Sequence, residues 1–227
     1  MPPSSDHALS EAYSVKDASY YGNARVDYVE CMPDNPQAAV LELGCGNGAT
    51  GALALRRGKA GRYVGIELFE EMAAQADKVL TTTHLGDVER ITLPYSPSTF
   101  DALILSEVLE HLVDPEATLR RLAALLKPGA LVLASSPNIS HWKNLVNLAQ
   151  GHFRYTDSGM MDRTHLRWFT PESFRELFEN VGVKVDRLAP LNGLNRWERL
   201  VSWTPFAPIV YFQIDLHGHY APSTTIQ

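Results

Sequence analysis

The chain has 227 residues, with 20 Lys plus Arg against 26 Asp plus Glu and a formal net charge of −6. That length sustains one sizeable hydrophobic core and is short for two. A chain that neutralises many phosphates needs a basic face, and no dense Lys/Arg block occurs here, so the expected partner is a small molecule and not nucleic acid. No run of eighteen apolar residues occurs, so no membrane span is expected; the apolar segment 201–212 is interrupted by Pro205 and Pro208. The start Met1-Pro2-Pro3-Ser4-Ser5-Asp6 lacks the basic and apolar regions of a secretion signal. Two cysteines, Cys31 and Cys45, make no disulfide framework, so a cytoplasmic protein is expected, with a homodimer left open.

In chain order, an N-terminal helical segment (8–36) runs to about Cys31 and stops at Met32-Pro33-Asp34. Ala38 to Leu43 is a short apolar run ending at glycines, the pattern of a buried strand. Ala49 to Arg57 reads as a helix, Arg62 to Glu67 as a strand, Glu70 to Lys78 as a helix and Val79 to Gly86 as a weak third strand. Phe100 to Leu105 is a fourth strand. Asp114-Pro115 opens a helix with a capping side chain followed by proline, and that helix is expected to reach Leu126. Ala130 to Ser135 is a fifth strand, followed by an irregular insertion over 137–170. Thr170-Pro171 starts another capped helix, and Val183 to Leu188 and Ile209 to Leu216 read as closing strands. Strands alternating with helices imply an α/β, doubly wound, mostly parallel sheet, expected to have seven strands with helices on both faces. Ligands of such sheets lie beyond the carboxyl ends of the strands.

Gly44, Gly46 and Gly48 follow the first strand and precede a helix, where glycine permits positive φ and close approach of a ligand. Gly44-x-Gly46-x-x-Ala49 also satisfies the relaxed dinucleotide fingerprint, and Glu67 suits a ribose in either case. The loop and Glu67 therefore leave two cofactors open.

Further features bear on that choice. Glu42 precedes the loop to make Glu-x-Gly-x-Gly-x-Gly; Gly86-Asp87 follows the third strand; Ser106-Glu107-Val108-Leu109-Glu110-His111-Leu112 follows the fourth. In this order they resemble the class I methyltransferases that use S-adenosylmethionine (SAM), across roughly residues 20–183. The resemblance implies SAM as cofactor and S-adenosyl-L-homocysteine as product. It implies Gly44, Cys45 and Gly46 against the methionine portion, and Glu42 ordering the loop and the cofactor's amino group. Glu67 would accept from the ribose hydroxyls with Leu68 beside the adenine. Asp87 would accept from the adenine amino group, the Val88 amide would reach a ring nitrogen, and Ser106 would touch the methionine amino end.

The acceptor side is expected from Tyr20 to Arg25 and from the 137–170 insertion, which resemble a bacterial subgroup of glycan and natural-product methyltransferases. Tyr21 and Arg25 are candidates to close over the cofactor or bind an anionic group. His141 and His165 are candidate general bases, because histidine takes a proton near neutral pH. His111, one helical turn from Glu107, is a third. For each histidine a purely structural hydrogen-bonding role stays open. Trp142, Tyr155 and Trp168 are candidate aromatic walls and Arg163 a candidate substrate contact, with packing as the alternative for the rings. His141, His152 and His165 with Asp157 and Asp162 match no metal-ligand spacing, so no metal is expected.

The expected function is in-line transfer of a methyl group from SAM to an oxygen or nitrogen of a small, sugar-like or natural-product metabolite, within one domain spanning 1–227. Two other readings remain: an NAD(P)-dependent oxidoreductase, for which no Tyr-x-x-x-Lys pair is present, and a SAM-binding protein without catalysis.

Overall fold

A computed structural model describes residues 24–191, 194 and 196–222. The expected helix before Met32 is seen over its last part, α1 (Val26–Cys31), and residues 8–23 lie outside the described residues. Then come β1 (Ala39–Leu43), α2 (Ala49–Arg56), β2 (Arg62–Glu67), α3 (Glu70–Ala76), β3 (Thr82–Leu85) and β4 (Phe100–Ser106). A 3-10 turn (Leu109–His111) leads to α4 (Pro115–Ala123), β5 (Leu126–Pro137), α5 (Trp142–Ala149), α6 (Pro171–Glu179), β6 (Val183–Pro190), α7 (Arg196–Val201) and β7 (Gln213–Tyr220).

The strands form one seven-stranded sheet in the order β3-β2-β1-β4-β5-β7-β6. β1 pairs in parallel with both β2 and β4, β4 continues in parallel to β5, and β7 runs antiparallel between β5 and β6. All five residues of β1 are buried, because parallel neighbours flank it and helices cover both faces. The period-two alternation of a strand divides the core accordingly. Leu41, Leu43, Val64, Ile66, Leu103 and Leu105 face one cluster, which α4 and α6 close with Leu119, Leu122, Phe174 and Phe178. Val40, Tyr63, Ala102, Ile104 and Leu133 face the other, closed by Tyr28 and Val29 of α1, Ala54 of α2 and Ala76 of α3.

Local signals set the two best-marked helix starts. Asp114 Oδ1 accepts from Ala117 N at 2.9 Å with Pro115 in the first turn. Thr170 and Ser173 form a reciprocal capping box.

Three expectations change. α4 stops at Ala123, and Leu126 already belongs to β5, where it pairs with Phe100. Lys127 to Ala130 then bulge out of register before Leu131 pairs with Ala102, and Lys127 Nζ reaches Asp101 at 2.8 Å. Lys127-Pro128-Gly129 is thus a bulge inside a strand and not the connection before one. The insertion is not irregular throughout, since α5 occupies its first part; Trp142, Leu145, Val146 and Ala149 repeat at helical spacing, although none of the helix's residues is buried. The closing strand is shifted from 209–216 to Gln213–Tyr220, and 207–210 make a 3-10 turn instead. Pro208 has no N–H to give a sheet ladder, whereas His217-Gly218-His219 pairs on both sides despite its polar character. Among the described residues, no helix is long and apolar enough to cross a membrane.

Candidate active site

The strand order reverses between β1 and β4, and at their carboxyl ends the loops surround a cavity of about 1250 Å³. That exceeds the roughly 300–1,000 Å³ of a site for a single ligand. Its lining includes Glu42, Gly44, Cys45, Gly46, Glu67, Leu68, Asp87, Val88 and Ser106, gathered from the ends of four strands.

The glycine loop turns through positive φ at Gly44 (68°), Gly46 (53°) and Gly48 (81°), and the Gly44 and Cys45 amides donate to Ile66 O at 2.8 and 3.2 Å. Glu67 locks the loop: its Oε2 accepts from Gly46 N at 2.8 Å, and its Oε1 accepts from Leu68 N and Phe69 N at 2.8 and 3.0 Å. Burial raises the Glu67 carboxyl above its ordinary range while these amides pull it back. A carboxylate offers about four acceptor sites, so three amides leave capacity for a hydroxyl.

Glu42 is buried and accepts from Tyr63 Oη at 2.9 Å. Burial pushes its carboxyl up to about 8. Cys45 is buried against the same wall, and burial raises its thiol. Leu68 is exposed at the rim, whereas Val88 is buried. Asp87 Oδ1 accepts from Glu89 N at 2.9 Å, and its Oδ2 pairs with Arg90 at 3.2 Å, so its position at the mouth is set by its own turn.

Arg25 reaches the cavity, but its guanidinium is taken up by the protein itself. Nη1 donates to Ser106 Oγ at 2.6 Å and Ser135 Oγ at 3.0 Å, Nη2 pairs with Asp27 at 2.7 Å, and the group lies 3.5 Å from the centre of the Tyr28 ring. It clamps α1 onto β4 and β5, a role that spacing alone did not reveal. Tyr21 lies outside the described residues.

The expected acceptor residues separate into two groups. His111 and His165 both line the cavity, with ring centroids 4.8 Å apart. Among the described residues that line it, His141, Trp142, Tyr155, Arg163 and Trp168 are not found. His141 is the N-cap residue of α5 but makes no side-chain capping bond; its ring is buried between the Trp142 and Phe212 rings, and burial lowers its pKa. Tyr155 and Trp168 pack with Phe153 at 5.6 and 6.1 Å from that ring, forming the insertion's own small apolar cluster. Arg163 is at the surface, paired with Asp157 at 3.2 Å. A sequence shows which residues an insertion contains but not which of its sides turns inward.

Glu107, Glu110, Phe212 and Gln213 also line the cavity. Glu107 occupies positive φ (52°), an unusual backbone for a non-glycine residue, and its Oε2 accepts from Gln213 Nε2 at 2.9 Å. Burial raises its carboxyl. Phe212 and Gln213 enter from the start of β7, where no sequence motif signals them. Glu110 belongs to the segment noted after β4, and the Glu-x-x-Glu-His spacing was the available signal.

Comparison with known proteins agrees with this geometry. A family model described as a methyltransferase domain matches residues 22–188. The chain is 34% identical over 120 residues to a ubiquinone biosynthesis O-methyltransferase of Xanthomonas campestris pv. campestris, covering 50% of this chain and 49% of that protein. It is 26% identical over 170 residues to one from Neisseria meningitidis serogroup C, covering 71% and 70%. The chain thus spans about half the length of the first of these relatives. In fold it is similar to a SAM-dependent methyltransferase from Archaeoglobus fulgidus, with a TM-score of 0.66 at 16% identity over 94% and 99% of the two chains. It is also similar to the cyclase SpnF, with a TM-score of 0.62 at 16% identity over 86% and 79%. With the family model covering most of the length and the sheet order of the fold in place, the chain belongs to the methyltransferase-domain family, the class I proteins that use S-adenosylmethionine.

Proposed function

We propose that the protein transfers a methyl group from SAM to an oxygen of a small-molecule acceptor. The observation that carries this reading is a single cavity with two chemically distinct sides. One side holds the glycine loop, Glu67 and Asp87; the other holds Glu110, His111 and His165. Because a protein named as a cyclase shares the fold, the fold is not by itself an argument for methyl transfer. The relatives named as O-methyltransferases favour oxygen over nitrogen as the acceptor atom.

In this reading the Gly44–Gly46 backbone lies against the methionine portion, and Glu67 adds ribose hydroxyls to the amides it already accepts. Leu68, Asp87 and Val88 border the adenine. Glu42 and Ser106 stand near the amino end of the methionine portion, with Arg25 holding Ser106 in place. The methyl of a sulfonium is already electrophilic, so the protein's work is to align the acceptor and take its proton. His165 and His111, which line the cavity, are the candidates for that work, and His141 is not among the lining residues.

Calorimetric titration with S-adenosylhomocysteine tests the cofactor half directly. Binding is expected, with Glu67→Ala weakening it about 10- to 100-fold, since a charge-assisted bond contributes about 1.5–3 kcal/mol. Failure to bind, or a fluorescence response to NADH instead, overturns the reading. A methyl-label screen of hydroxylated small molecules then tests the acceptor half.

A further inference from the structure

Three groups on the acceptor side of the cavity converge in a way that binding a cofactor does not require. One ligand atom each from Glu110, His111 and His165 lies within 4.8 Å of the other two. Glu110 and His111 belong to the 3-10 turn after β4, and His165 to the insertion. Two backbone bonds hold the insertion against that turn: Leu166 N and Arg167 N donate to Glu110 O at 2.8 and 3.0 Å. The convergence is therefore built by the main chain.

The second nitrogen of each ring supplies an independent observation. His111 Nδ1 lies 3.1 Å from Thr164 O, and His165 Nδ1 lies 3.0 Å from Met160 O. A carbonyl oxygen only accepts, so Nδ1 carries the proton of each neutral imidazole and Nε2 carries the lone pair. Histidines that bind metals are oriented in this way, by donating their other N–H to a carbonyl or carboxylate. Glu110 is braced too, its Oε2 accepting from Ser136 Oγ at 3.2 Å.

We propose that Glu110, His111 and His165 form a divalent transition-metal site on the acceptor wall of the cavity. Two imidazoles and one carboxylate suit zinc, iron or manganese better than magnesium or calcium, which favour oxygen ligands throughout. Three protein ligands leave coordination positions open toward the cavity, as in catalytic and not structural centres. Around an ion with ligand bonds of about 2.0–2.1 Å, tetrahedral neighbours stand about 3.4 Å apart, so ligand atoms within 4.8 Å of one another need close by no more than about 1.4 Å on loading.

The role of such an ion rests on the methyl-transfer reading; its binding does not. With His111 and His165 engaged as ligands, the ion would take over their part in deprotonation: an acceptor hydroxyl coordinated there would become more acidic and would release its proton to solvent water. The oxygen–carbon bond then forms as the sulfur–carbon bond of the sulfonium breaks, the electron pair of that bond remaining on sulfur as the thioether.

The test uses the full chain, treated with a chelator and titrated separately with Zn²⁺, with Co²⁺ and with S-adenosylhomocysteine. One ion per chain is expected, with visible absorption bands appearing for Co²⁺. His165→Ala and Glu110→Gln should each weaken ion binding by more than about 100-fold, beyond the 10- to 100-fold typical of losing an outer partner. Retained circular dichroism and S-adenosylhomocysteine binding show that these variants fold; His165→Gln replaces His165→Ala if the latter does not. No stoichiometric uptake by the wild-type chain, or equal uptake by folded variants, overturns the proposal. Ion binding without S-adenosylhomocysteine binding would sink the methyltransferase reading and leave the metal site standing, and the converse result would do the reverse.

Discussion

Glu42 sits in the middle of a strand buried on both faces, where most sequences place an aliphatic residue. Burial is the largest influence on its carboxyl and the Glu67 charge adds to it, while the Tyr63 hydroxyl and the Arg25 charge work in the other direction. The result is a group raised from its ordinary 4.5 to about 8 in the folded chain. Between those values the folded protein holds a proton that the unfolded chain has released. Its contribution to stability is therefore full below the unfolded value and lost as pH rises through the folded one, at up to about 1.4 kcal/mol per pH unit. Urea unfolding of the ligand-free protein should show this decline toward about pH 8, and Glu42→Gln should flatten it. At this scale the sequence exposed Glu42 and Glu67 by their positions next to the glycines. It did not separate His165 from His141, because both lie in polar, aromatic stretches and only packing turns one ring to the cavity and the other toward Phe212.

The seam between α2 and β2 limits what the first βαβ unit tolerates. A Cβ on Gly51 would stand 2.4 Å from Leu80 Cδ2 and 2.5 Å from the Tyr63 ring. Alanine is worth about 1 kcal/mol over glycine in an open helix, but overpacking a core costs about 1–3 kcal/mol. Gly51→Ala is accordingly expected to lower the urea midpoint, and a raised midpoint would show that Leu80 yields easily. Asp114→Ala removes the cap of α4 and should cost about 1 kcal/mol in the same measurement. Elements with a strong local cause were legible: β1, β2 and β4 as unbroken apolar runs, and α4 and α6 by their caps. α5 was not, although Trp142, Leu145, Val146 and Ala149 repeat at helical spacing: the stripe lasts only two turns, reaches no core and lies among polar and aromatic residues. β7 was displaced because its Gln213–Tyr220 ladder depends on β5 and β6, strands distant in sequence.

For the molecule as a whole, the cavity collects loops from both halves of the sheet, so its occupant should couple them. S-adenosylhomocysteine at a hundred times its Kd is expected to stabilise the chain by about 2.7 kcal/mol, seen as a rise in Tm that grows with ligand concentration. The effect should shrink in Glu67→Ala, whose carboxylate joins the β1 and β2 loops through Gly46, Leu68 and Phe69. A Tm indifferent to the ligand would show that the cavity is not a cofactor site.

The sequence by itself determined the α/β class, the glycine loop and the carboxylates at successive strand ends. These follow from short-range causes: apolar runs, caps, and glycines where φ must be positive. It also placed Glu110 and His111 on one short segment. The tertiary structure decided which insertion histidine joins them, which expected acceptor residues instead pack the insertion together, and that Arg25 is a clamp between α1 and the sheet. The first and last of those outcomes depend on contacts between residues 50 or more positions apart, such as His111 with Thr164 and Arg25 with Ser106. Only the closed fold brings such pairs within hydrogen-bonding distance.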